Sequence, residues 1–95
     1  MTHNPAMGHD EALQTIVSMA AQGLIAFTNH ALEKMPALGL IEDDVRHCLT
    51  HPTGIEKSDP YHHQSDWMVR GSDLSGNSLT VCVVIEADVL VVTVF

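Results

Sequence analysis

Positive charge and aromatic rings are what this chain has least of. Four Lys and Arg stand against twelve Asp and Glu, a formal net charge of −8, and that field repels polyanions and works against unaided binding to a nucleic-acid backbone. Aromatic rings are confined to Phe27, Tyr61, Trp67 and Phe95. Leu, Ile, Val, Met and Ala must therefore fill the core, which in a chain of this size buries roughly 60–65% of the unfolded surface. Cysteine is limited to Cys48 and Cys82, both in apolar runs and without a Cys-x-x-Cys, which favours reduced, buried thiols over a disulfide or a zinc site. No apolar run approaches the roughly 18 residues of a membrane span, and the start at Met1 lacks the charged and apolar regions of a secretory signal. The expected setting is cytoplasmic, with no membrane partner. A length of 95 residues excludes a multi-domain enzyme carrying its own cofactor module.

The hydrophobic content, 45% against 17% charged, is that of a folding globular chain. Residues 1–9 mix Pro5, Gly8 and polar residues without period and read as a mobile arm, leaving residues 10–95 as a single domain. Asp10 is placed to cap a helix whose apolar positions Leu13, Ile16, Val17 and Ala20 recur at helical spacing, with Gly23 as its stop. Leu24 to Phe27 is compatible with a short strand. Thr28 is an N-cap candidate for a second short helix carrying Ala31, Met35 and Leu38, whose length Pro36 limits. Ile41 to Leu49 forms a third helix, with Glu42, Asp43 and Asp44 in the first turn, where carboxylates favour the positive end of the helix dipole.

Beyond Thr53 the period turns from helical to extended. Ile55–Ser58, Trp67–Gly71, Leu79–Glu86 and Val89–Phe95 read as strands of an antiparallel meander. The last two are apolar on both faces, which predicts central strands with helices on one side and further cover, such as a second copy of the chain, on the other. The fold class is α+β: two to three N-terminal helices on an antiparallel sheet of about four to five strands.

The segments Phe27-Thr28-Asn29-His30-Ala31-Leu32-Glu33-Lys34-Met35, Ile41-Glu42-Asp43-Asp44-Val45 and Val91-Val92-Thr93-Val94-Phe95, taken together, resemble the domain-of-unknown-function family numbered 4258. That pattern has a Thr-x-His-Ala-x-x-Arg-Met helix start, a following Arg-Gly-Ile, a capped helix and a terminal Val-Val-Thr-like strand. The resemblance runs from about Ile25 to Phe95 and implies a fold similar to the RelE, barnase and colicin type of small ribonuclease, with members that look like toxins of bacterial toxin–antitoxin pairs. His30 stands at the histidine of the pattern, Lys34 where arginine is usual, Thr93 at the terminal-strand threonine, and Leu38 where a second arginine is expected. Lysine lacks the bidentate fork that arginine offers a phosphate, so this resemblance implies a nuclease that is weak or degenerate.

Metal-independent RNA cleavage needs a base for the 2′-hydroxyl, an acid for the leaving oxygen and a cation for the developing phosphate charge. His30 and Lys34, four apart on one helix face, can converge on one substrate group, Arg70 can add a fixed positive charge from a strand, and Thr93 can orient a phosphate oxygen. These four are the candidate catalytic residues, and no cofactor or metal is called for. The competing reading has His30 packing at the helix–sheet seam and Lys34 paired with a nearby acid. His47 and His51 share the same spacing, but the intervening Cys48, Leu49 and Thr50 supply no general base, so they read as surface histidines. His62 and His63, beside Tyr61, read as a polar loop. A reading from a different class is an acidic protein-binding module that acts through its sheet without catalysis. The partners to be expected are an antitoxin-like protein, RNA held weakly, or a second copy.

Overall fold

A computed structural model describes residues 7–58 and 65–95. It contains three helices, α1 (His9–Ala21), α2 (Asn29–Ala37) and α3 (Glu42–Thr50). Five strands follow the chain as β1 (Ile25–Phe27), β2 (Gly54–Lys57), β3 (Trp67–Ser72), β4 (Ser78–Ile85) and β5 (Val89–Val94). The fold is α+β, with the N-terminal helices packed on a mostly antiparallel sheet of order β1-β5-β4-β3-β2. Tyr61, His62 and His63, and residues 1–6 of the expected N-terminal arm, lie outside the described residues.

α1 begins at His9 with Gly8 as its N-cap, so Asp10 lies in the first turn and does not cap. Its buried stripe is Ala12, Ile16 and Ala20, with Leu13 and Val17 only half-buried. The helix is turned so that the smaller alanines face inward, which allows close approach to α3. Gly23, at φ 79°, adopts the left-handed conformation that stops the helix at the expected position.

The strands from β2 to β5 form the expected antiparallel succession, and both β4 and β5 are internal. β1 departs from it by pairing with β5 in parallel, Ile25 opposite Val89 and Phe27 opposite Val91. A parallel partner requires a crossover, supplied here by the two helices and three strands that lie between. Between the pairs Val83–Val91 and Val81–Val94, β5 carries two residues, Val92 and Thr93, where β4 carries Cys82 alone. This is a β-bulge, which re-aims the end of β5.

Val69, Val81, Val83, Val89, Val91 and Val94 of the sheet join Ile16 of α1 and Val45, Cys48 and Leu49 of α3 in one apolar cluster. β-Branched valines supply the sheet side and the small residues of α1 let the layers approach. At Gly71 of β3 the strand meets α3 so closely that a Cβ would lie 3.0 Å from the Cys48 sulfur.

Candidate functional site

Thr28 positions the site. Its hydroxyl oxygen accepts the Ala31 N–H at 3.1 Å, capping α2 as its sequence position predicted, and the same hydroxyl donates to the Val92 carbonyl at 2.9 Å. The Thr28 N–H donates to the Val91 carbonyl at 3.0 Å. One residue thus starts the helix and pins it to β5, fixing which α2 side chains meet which β5 residues.

From that anchor His30 lies beside Thr93, with Nε2 3.0 Å from Thr93 Oγ1. One helical turn later, Lys34 holds its Nζ 5.9 Å from the centre of the Phe95 ring, within the range of a cation–π contact. His30 is exposed, Lys34 half-buried and Thr93 buried, so an imidazole open to solvent rests on a hydroxyl that cannot move away. Cys82 sits opposite Thr93 on β4, fully buried yet outside the main apolar cluster. Burial pushes its thiol above the ordinary range, against the downward pull of a Ser65 hydrogen bond and of the Lys34 charge.

Three of the four predicted residues, His30, Lys34 and Thr93, are therefore brought together. Arg70 is not among them. It stands on β3, two strands from β5 and so roughly 10 Å across the sheet, and its Nε donates to Glu56 Oε1 at 2.8 Å in an exposed ion pair. Its charge is committed to a carboxylate on β2, the strand at the opposite edge of the sheet from β1.

The other motifs also find places. His47 and His51 stack with ring centres 4.6 Å apart, and no group of three or more metal-ligating side chains occurs among the described residues. Cys48 and Cys82 are free, buried thiols, and burial raises Cys48 to about 12. Among the described residues no helix is long and apolar enough to cross a membrane.

One residue carries more than its sequence position suggested. Asp44, expected to serve the helix dipole, accepts the Ile41 N–H at 2.9 Å through Oδ2 and the Leu74 N–H at 3.0 Å through Oδ1. These two bonds hold its carboxyl below the usual carboxylate range. No local pattern could have announced a contact spanning 30 residues.

No curated protein and no solved structure matches the chain. The family described as Domain of unknown function (DUF4258) matches residues 27–95, a span that opens at the last residue of β1 and includes Thr28, His30, Lys34 and Thr93. With more than two thirds of its length matched, the chain belongs to the DUF4258 family.

Proposed function

We propose that the chain is an RNA-directed domain that cleaves slowly and without a metal, with His30, Lys34 and Thr93 as its working residues. The observation that carries this reading is the contact between His30 Nε2 and Thr93 Oγ1 at 3.0 Å, made across 63 residues and beside a cation one turn further along α2. When Nε2–H donates to the threonine hydroxyl, the Nδ1 lone pair is left free to accept a proton. In this scheme the 2′-oxygen of the RNA attacks the adjacent phosphorus and its proton passes to His30 Nδ1. The bond from phosphorus to the 5′-oxygen breaks, giving a 2′,3′-cyclic phosphate and a 5′-hydroxyl whose proton comes from the Lys34 ammonium or from water. Lys34 also faces the negative charge that develops on the phosphoryl oxygens, and Thr93 is a positioning residue that orients the imidazole.

Three features hold the rate down. Lys34 offers a point charge and no bidentate fork, Arg70 is bound to Glu56, and the net charge of −8 disfavours the encounter with RNA. The test uses an end-labelled RNA oligonucleotide at low salt with excess chelator. Slow, chelator-insensitive formation of a cyclic-phosphate end, reduced about a hundredfold in His30→Ala, is the expected result. Cleavage no faster than in buffer, or cleavage undiminished in His30→Ala, overturns the reading.

A further inference from the structure

The surface where α3 begins displays apolar side chains on a fixed backbone. Ile41 and Leu74 are exposed to 59% and 57%, although one belongs to the turn before α3 and the other to the turn between β3 and β4. Their backbone N–H groups are bound by the two oxygens of one carboxylate, that of Asp44, so the two residues are neighbours by construction. The β3–β4 turn is itself braced, since Asp73 Oδ1 accepts the Ser75 and Asn77 N–H groups at 2.9 and 2.8 Å. Leu38, 48% exposed, lies three residues before Ile41. Apolar side chains carried on neighbouring, fixed backbone mark an interaction site more clearly than scattered ones.

Charge selects the occupant. Glu42 and Asp43 follow Ile41 and are exposed, while the four cations of the chain are directed elsewhere: Arg46 to the Ala21 carbonyl, Arg70 to Glu56, Lys34 to the Phe95 ring and Lys57 to the Trp67 ring. A second copy seated here would bring its own Glu42 and Asp43 against these, with a net charge of −8 on each partner. We propose that the Ile41–Leu74 surface docks a basic, amphipathic segment of a partner protein, whose apolar side chains cover Ile41 and Leu74 and whose Lys or Arg residues meet Glu42 and Asp43. This is independent of the His30 site, which involves other residues.

The probe is a synthetic helical peptide with one leucine face and one lysine face, compared with a control in which serine replaces the leucines. Titration is followed by backbone amide shifts of the isotope-labelled protein. The leucine–lysine peptide is expected to shift Leu38, Ile41 and Leu74 while leaving His30 and Thr93 unmoved, and to bind at least about tenfold more tightly than the serine control. The double variant Ile41→Ser with Leu74→Ser, both at exposed positions, should weaken it by about the same factor. Glu42→Gln with Asp43→Asn should weaken it and flatten its salt dependence. Equal binding of the serine control, shifts spread over the acidic surface, or unchanged affinity in the serine variant overturns the proposal. So does a sedimenting dimer that Ile41→Ser disperses, which would assign the surface to a second copy.

Discussion

The hydrogen bond between His30 and Thr93 can be weighed on its own with a double-mutant cycle on stability. Thr93→Val keeps the shape of a side chain that is 6% exposed and removes the hydroxyl that lies 3.0 Å from His30 Nε2. A neutral hydrogen bond is worth about 0.5–1.5 kcal/mol net. The lower half of that range applies here, because His30 is exposed and water can take over its freed nitrogen. His30→Ala leaves the buried Thr93 oxygen without its imidazole, at a similar cost. Urea titrations followed by circular dichroism for the parent, each single variant and the double variant should give a coupling of about 0.5–1 kcal/mol. If Thr93 orients the imidazole, its valine variant also loses about tenfold in RNA cleavage while still fully folded. Single-variant effects that add to within about 0.3 kcal/mol would refute the argument that this bond holds the imidazole.

Other consequences can be read with the same instruments. Gly71→Ala places a Cβ 3.0 Å from the Cys48 sulfur and 3.2 Å from its carbonyl oxygen, so Cys48 of α3 must give by a few tenths of an ångström, and since its backbone is held in the helix, urea titration should show a loss of about 1 kcal/mol; unchanged or raised stability would mean that α3 yields there without cost. The carboxyl of Asp44 is lowered from 3.8 in the folded state, so the stability it contributes is present above that value and lost as pH falls through its folded value. Asp44→Asn should therefore flatten the acid limb of the stability profile, and an unaltered limb would show that the two N–H bonds do not hold the charge. Cys48 runs the other way: raised from 9.0 to about 12, it lets the unfolded chain ionise first, so stability should decline as pH rises across that interval. At neutral pH both thiols should resist iodoacetamide until denaturant is added, and prompt labelling of the folded protein would contradict their burial.

Much of what depends on neighbours along the chain was legible beforehand, although Asp10, read as the cap of α1, lies in its first turn behind Gly8. Gly23 as a helix stop, Thr28 as an N-cap, the acidic first turn of α3 and the valine-rich strands all express local preferences. The same locality made His30 and Lys34 readable, because i, i+4 spacing fixes a shared helix face. The second bond of Thr28, to the Val92 carbonyl, joins residues 64 apart, and no spacing rule announces it. The partner of Arg70 is hidden from the sequence for a related reason. Its guanidinium had no assigned partner until the register of β2 on β3 set Glu56 against Met68, diagonal to Arg70 and within its reach.

The DUF4258 match begins at Phe27, yet the physical unit does not begin there. β1 ends at Phe27, and its Ile25 and Ala26 pair with Val89 and Leu90, so without them β5 would become the edge of the sheet just where α2 and the His30 site rest on it. α1 contributes Ala12, Ile16 and Ala20, each fully buried in the cluster that holds Val45 and Leu49 of α3. Burying Ile16 alone is worth about 1.5–3 kcal/mol, a large share of the stability of a domain this small. The chain ahead of Thr28 thus supports the site without entering it: α1 backs α3, β1 flanks β5, and Thr28, the residue after β1, passes that placement directly to His30.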